Sequence, residues 1–148
     1  MQAEGIEINP VSSWEPGQIK ALYEIGGWSR KGVEPDPERI KKIISGSYVF
    51  IIAVDRSTGE TVGMGRAISD GTSDAYIQDL VVKPSHRGRG IGAAIVDTVV
   101  QHCLENGITW IGLVAEPGTV EFYQTIGFSQ MEGYIPMLHG GLNDALVR

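Results

Sequence analysis

Residues 79–105 constrain this chain more than any other stretch. Asp79-Leu80-Val81-Val82 reads as a short buried strand, Lys83 to Gly92 as a basic glycine-rich turn and the start of a helix, and Ala93 to Glu105 as the amphipathic helix that continues it. Ile91, Ile95, Val99 and Cys103 fall four apart, Gly92, Val96, Val100 and Leu104 form the adjacent row, and Asp97, Gln101 and Glu105 form a polar row. That period of about 3.6 residues lays one helix face against a sheet. Valine is a modest helix former, so burial rather than propensity holds this helix. Gly107 is its natural stop, and Ile108 to Val114 is the next strand. A strand, a helix and a strand imply a right-handed crossover and a parallel pair.

The turn also carries a chemical signal. Gly88, Gly90 and Gly92 keep side chains away, so backbone N–H groups and the positive helix N-terminus can approach an anion, with Ala93 offering a further first-turn N–H. Arg87 and Arg89 add charge-assisted donors of the kind that clamp phosphates. Glycines in such a turn also serve simply to permit a bend, and exposed arginines are commonly just solvated. Three basic residues, Lys83, Arg87 and Arg89, in an otherwise acidic chain favour the phosphate. The turn is not a nucleotide P-loop, because no Gly-Lys-Ser/Thr follows. Nor is it a dinucleotide fingerprint, because Asn106 and Gly107 stand about where the ribose-binding acid is expected.

The 148 residues fit one domain, 1–148, and 42% apolar residues suffice for a sizeable core. A net charge of −6 argues against nucleic acid or an anionic membrane and suits a cationic or amine substrate. Beyond Cys103 the only lysine or arginine is Arg148, which disfavours a continuous basic face. The single cysteine excludes an internal disulfide, and three scattered histidines give no metal motif. With no secretory leader and no long apolar run, the expected setting is a reducing cytoplasm, with no membrane span.

Around the central stretch, Gly5 to Val11 predicts an opening strand. Pro16 starts a helix with Ile19, Leu22, Tyr23 and Ile25 on its apolar side, ended by Gly26-Gly27. Asp36-Pro37 caps a second helix, with Ile40, Ile43 and Ile44 inward and Gly46 at its end. Tyr48 to Val54 is a nearly continuous apolar run, a central strand buried on both faces. Thr61 to Ser69 and Ala75 to Val82 follow across polar turns, making two antiparallel hairpins. Pro117 and Thr119 open a short helix ended by Gly127, and Phe128 to about Met137 is expected to form a final strand. Leu138 to Arg148 is expected to be a loop, a frayed end or part of a homodimer contact. The prediction is an α/β fold: a mixed, mostly antiparallel central sheet of six or seven strands with helices on both faces.

Arg87-Gly88-Arg89-Gly90-Ile91-Gly92 resembles the Arg/Gln-x-x-Gly-x-Gly/Ala signature of the GNAT N-acetyltransferase family. Phe122-Tyr123-Gln124-Thr125-Ile126-Gly127-Phe128 resembles that family's later Phe-Tyr-x-x-x-Gly-Phe element. The two stand in family-like order and separation, and the resemblance covers roughly residues 47 to 137. It implies the family's acyl-CoA N-acyltransferase fold, acetyl-CoA as cosubstrate, and transfer of its acetyl group to a primary amine, most simply a small molecule, by direct attack in a ternary complex. A peptide or protein acceptor, and a non-catalytic acyl-CoA-binding protein, are the alternatives.

Carried over residue by residue, the resemblance places the pyrophosphate on Arg87, Gly88, Arg89, Gly90, Gly92 and Ala93. It places the pantetheine arm along the exposed backbone of Leu80, Val81 and Val82, with the N–H of Leu80 or Val81 toward the thioester oxygen. Tyr123 matches the tyrosine that protonates or hydrogen-bonds the coenzyme thiolate, although Phe-Tyr on a short amphipathic helix is, on physical grounds alone, more often core. Asp79, where the strand nears its expected bulge, and Glu116, at the end of the following strand, are the candidate carboxylates for taking the amine's proton or binding a cationic substrate. Either is otherwise a solvated group. Glu116-Pro117-Gly118-Thr119 stands where many members of the family carry an asparagine that contacts the coenzyme. Trp28 resembles a loop aromatic that covers the acceptor pocket, with Arg30, Tyr134 and His139 as weaker pocket candidates. His86 is expected to face solvent. Cys103 reads as core, which argues against a cysteine nucleophile.

Overall fold

The computed structural model describes residues 3–28 and 36–140. In chain order the elements are β1 (Ile6–Pro10), α1 (Pro16–Gly26), α2 (Pro37–Gly46), β2 (Val49–Asp55), β3 (Thr61–Ser69), β4 (Asp74–Val82), a single 3-10 turn (Pro84–His86), α3 (Ile91–Glu105), β5 (Trp110–Leu113) and α4 (Val120–Thr125). Local chemistry sets the helix starts. Pro16 and Pro37 sit in the first turns, and the Glu15 and Asp36 side chains accept from Gly17 N–H and Arg39 N–H. Gly27, at φ 75°, ends α1 in the left-handed conformation.

The strands lie in the order β1-β2-β3-β4-β5. The first three pairings are antiparallel and β4 with β5 is parallel. α3 is the crossover between the parallel pair, as the strand–helix–strand pattern predicts. β2 is buried on both faces. Val49, Ile51 and Ala53 join the core under α3, with Ile91, Ile95, Val99 and Cys103. Phe50 and Ile52 join the core under α1 and α2, with Ile19, Leu22, Ile40 and Ile44. The sheet is therefore covered by helices on both faces.

Three expectations are corrected. Among the described residues the sheet has five strands, not six or seven, because 128–140 forms none. Gly133 takes φ 80° and Pro136 has no N–H to give a ladder, so the apolar residues between them stay outside: Ile135 is 78% exposed. Ile25 and Leu104, each assigned by period to a buried row, lie at the ends of α1 and α3, where the sheet no longer covers them. Part of the tail, 141–148, lies outside the described residues.

Two glycines in β3 let the layers close. A Cβ on Gly65 would lie 2.7 Å from Ile95 Cγ2 and 3.4 Å from Leu80 Cδ1, and one on Gly63 would lie 3.0 Å from Ile95 Cδ1. α3 thus rests directly on the β3 backbone. Gly65→Ala is expected to destabilise the protein by about 1–3 kcal/mol through overpacking, measured as a lower urea midpoint with an unchanged slope.

Candidate active site

The site begins where β4 loses its second neighbour. β4 pairs with β5 only from Asp74–Trp110 to Ile77–Leu113. β4 then runs on to Val82 while β5 ends, so the two strands part. On its other side β4 carries a bulge: Met64 pairs with Val81 and Arg66 with Gln78, so Gly65 stands opposite both Asp79 and Leu80. Asp79 takes φ 58°, a left-handed conformation for a residue with a side chain. The backbone of Leu80, Val81 and Val82 therefore lines an opening with no strand of the described chain across it.

The glycine turn follows directly. Gly88 and Gly90 take φ 77° and 78°, and nothing lies within 4 Å of where their Cβ atoms would stand. These two are glycines because of backbone conformation, not crowding. Gly90 caps α3 without a side-chain hydrogen bond, and the first turn holds no acid. The first intrahelical bond runs from Ala94 N–H to Gly90 C=O, which leaves the N–H groups of Ile91, Gly92 and Ala93 directed out of the helix end. Gly92 instead makes ordinary contact, its Cβ position lying 3.4 Å from Phe122 of α4. Arg87 and Arg89 are exposed; each uses one donor on the backbone, Arg87 Nε to Val82 C=O (3.0 Å) and Arg89 to Glu4 C=O (3.2 Å). A free helix end, two left-handed glycines and two guanidiniums fit a pyrophosphate.

The turn is braced from below. His86 is not solvent-facing: its Nε2–H donates to Asp55 Oδ2 (2.8 Å) and its Nδ1 meets Ser85 Oγ (2.7 Å). Lys83 pairs with Glu60. The His86 bond, then the Ser57 hydroxyl and amide, hold the Asp55 carboxyl well below the usual carboxylate range.

Tyr123, on α4, stacks edge-on against Phe128 with ring centroids 5.8 Å apart. Its phenol is pushed above the ordinary value, first by burial and then by the negative charge of Glu116. The hydroxyl therefore stays protonated as a donor through neutral pH. Glu116 ties this side of the opening to α1: Trp28 Nε1–H donates to Glu116 Oε1 at 2.6 Å across 88 residues of sequence. Trp28 also packs edge-on to Tyr23. Its ring folds back over Gly26, where a Cβ would lie 2.6 Å from Trp28 Cε3. Gly26 therefore seats the tryptophan, and Gly27 ends the helix.

Asp79 stands apart from this rim. Its side chain is 1% exposed, and Oδ2 accepts from Arg66 Nε (2.7 Å) and Tyr23 Oη–H (2.8 Å). Arg66 is a site residue that periodicity does not single out. Its only sequence signal is a lone charge inside the otherwise apolar and small run Val62 to Ile68. Of the weaker pocket candidates, Tyr134 lines an apolar groove of about 630 Å³ on β5 that takes no residue from β4. His139 is exposed, and Arg30 lies outside the described residues.

The sequence model of the acetyltransferase (GNAT) family matches residues 18–128. The chain belongs to the GNAT acetyltransferase family. It is 35% identical over 132 residues to serotonin N-acetyltransferase 2, chloroplastic, of Oryza sativa subsp. japonica, covering 87% of this chain and 64% of that protein. The chain thus spans less than two thirds of that relative's length. Among solved structures, a GNAT family protein from Streptococcus pneumoniae superposes with TM-score 0.72 at 26% identity, over 90% of this chain and 98% of that one. A structure from Clostridium acetobutylicum, described as a predicted acetyltransferase with acetyl-CoA, superposes with TM-score 0.69 at 17% identity, over 90% of this chain and 96% of that one. At that identity the second likeness speaks to the fold alone. No helix among the described residues is long and apolar enough to cross a membrane.

The His86 brace makes a pH prediction. A carboxyl whose pKa is depressed on folding stabilises the fold above its unfolded value and loses that stabilisation as pH falls through the folded one. His86→Ala removes the main cause. The gap in melting temperature between wild type and variant is expected to be largest above about pH 4 and to close as the pH is lowered further.

Proposed function

We propose that this chain is an acetyl-CoA-dependent N-acetyltransferase acting on a small primary amine by direct attack in a ternary complex. One observation carries the proposal. The backbone of Leu80–Val82, unpaired on its β5 side, leads through the glycine turn to a helix N-terminus with no side-chain cap, and Tyr123 and Glu116 stand beyond the end of the strand that parts from it.

Acetyl-CoA supplies an activated acetyl thioester. The turn residues Arg87, Gly88, Arg89, Gly90, Gly92 and Ala93 hold its phosphates, and the backbone of Leu80, Val81 and Val82 pairs with its arm like an added strand. An N–H of Leu80 or Val81 faces the thioester oxygen as negative charge develops there. Glu116 receives the substrate's ammonium, takes its proton and leaves a neutral nucleophile. Trp28 covers the amine, and burial among apolar groups lowers the ammonium pKa, which helps the base. As the amine nitrogen bonds to the acetyl carbon and the C–S bond breaks, Tyr123 gives its proton to the departing thiolate, and the proton lost by the newly acylated nitrogen restores the phenol. Glu116 is favoured over Asp79 as the base because it is exposed at the rim, whereas the Asp79 carboxylate is buried on an arginine and a tyrosine.

The test is a thiol-release assay with acetyl-CoA and a panel of arylalkylamines, polyamines, amino acids, aminoglycosides and short peptides. Arylalkylamines come first because a rice relative is named for serotonin. Amine-dependent release is expected, with Tyr123→Phe lowering kcat by about 10²-fold or more. Coenzyme binding with no release for any acceptor would instead favour a non-catalytic acyl-CoA-binding protein, and release with peptides alone would move the acceptor class.

The phenol of Tyr123 gives a second prediction. Its pKa lies above the ordinary value, so the basic limb of kcat is expected above about pH 10. Glu116→Gln removes the smaller of the two causes. A pH–rate profile of that variant should show the basic limb displaced toward lower pH, together with a reduced kcat/KM for the amine.

A further inference from the structure

Asp79 is the only non-glycine among the described residues with a positive φ. A bend alone calls for glycine, which takes such angles freely and does so here at 88 and 90. A side chain kept at this cost has work that glycine cannot do. A proton acceptor must be reached by the proton it takes. The Asp79 carboxylate is instead 1% exposed, with Oδ2 occupied by both Arg66 Nε at 2.7 Å and Tyr23 Oη at 2.8 Å.

Arg66 stands at the foot of the bulge, paired across the ladder with Gln78. Its guanidinium also donates to Gln78 Oε1 (3.3 Å) and Ser47 Oγ (3.4 Å), and only 13% of the side chain is exposed. It therefore grips β4 on both sides of the turn between Gln78 and Asp79. Tyr23 brings α1 to the same oxygen. We infer that Asp79 is a positioning residue: with Arg66 and Tyr23 it clamps the left-handed backbone that creates the β4 bulge, and so sets where the Leu80 and Val81 N–H groups stand.

The bulge matters because side chains alternate along a strand. If it annealed, the register beyond Gln78 would slip by one and reverse which of Leu80, Val81 and Val82 face each core. Val81 now packs in the core under α1 and α2, and Leu80 and Val82 pack against the core under α3. The clamp thus ties the cosubstrate's strand to α1, the helix that Trp28 follows. The inference rests on the acetyltransferase reading for its kinetic consequence, but its structural consequence stands apart from it.

The test uses Asp79→Asn, Arg66→Met and the double variant in the full chain. Asparagine tolerates left-handed angles and keeps an acceptor oxygen. Asp79→Asn is therefore expected to hold kcat within about 10-fold of wild type and to keep the ascending limb of the kcat/KM pH profile. Arg66→Met, which touches neither substrate in the proposed scheme, is expected to weaken acetyl-CoA binding by calorimetry by about 10-fold or more. The double variant should be no worse than Arg66→Met alone, since the two residues act as one unit. A loss of about 10²–10⁴ in kcat for Asp79→Asn with the ascending limb gone, alongside an unaltered Arg66→Met, would make Asp79 a proton acceptor and overturn the inference. If Arg66→Met does not fold, Arg66→Lys is measured by amide hydrogen exchange at Leu80 and Val81. Faster exchange supports the clamp and unchanged exchange overturns it. That readout also decides the inference if wild type binds no acetyl-CoA, an outcome that would count against the functional reading alone.

Discussion

From Gln78 to Val82, β4 is hydrogen-bonded on one side only, and the proposed chemistry depends on that. β5 follows it in parallel for four residues and then stops. A parallel strand placed by a helical crossover is positioned by the packing of that helix, here α3 on the β3 backbone at Gly63 and Gly65. The unpaired backbone groups of a sheet usually invite another strand. In the proposed scheme an extended cosubstrate arm joins the sheet at this edge, next to the bulge at Asp79.

Around this opening, electrostatics does two kinds of work. Buried and half-buried pairs fix backbone: Asp79 with Arg66, and His86 with Asp55 under the glycine turn. Removing one partner from a well-buried pair such as Asp79–Arg66 leaves the other uncompensated, so its value lies in specifying one geometry rather than in net stability. The exposed groups are the ones the proposed scheme assigns to ligands: Arg87 and Arg89 beside a helix end with no side-chain cap, and Glu116 at the rim. The net charge is −6, and three of the twelve lysines and arginines, Lys83, Arg87 and Arg89, stand at the turn.

Much of this was legible because the signals are local. The β-branched run of β2, the period of α3, the Asp36-Pro37 cap and the glycine turn each act through neighbours a few residues away. What the sequence alone could not supply is long-range. Trp28 meets Glu116 across 88 residues, Tyr23 meets Asp79 across 56 and His86 meets Asp55 across 31, and no spacing rule encodes those pairs. The resemblance located Trp28 and Glu116 separately, but the bond between them is a product of the fold. Gly26, Gly63 and Gly65 looked like a helix end and strand interior, and their purpose appears only when Trp28 and Ile95 are seen against them. The expected final strand after Phe128 failed for a local reason that was readable, Gly133 and Pro136 within one short segment.

The most direct measurement is amide hydrogen exchange of the full chain with and without acetyl-CoA. The account predicts slowed exchange at Leu80–Val82, where the arm pairs with β4, and at Gly88–Ala93 (Arg89 included), where the phosphates sit, with β1 unchanged. Binding that leaves both stretches unprotected, or protects a different part of the sheet, would contradict it.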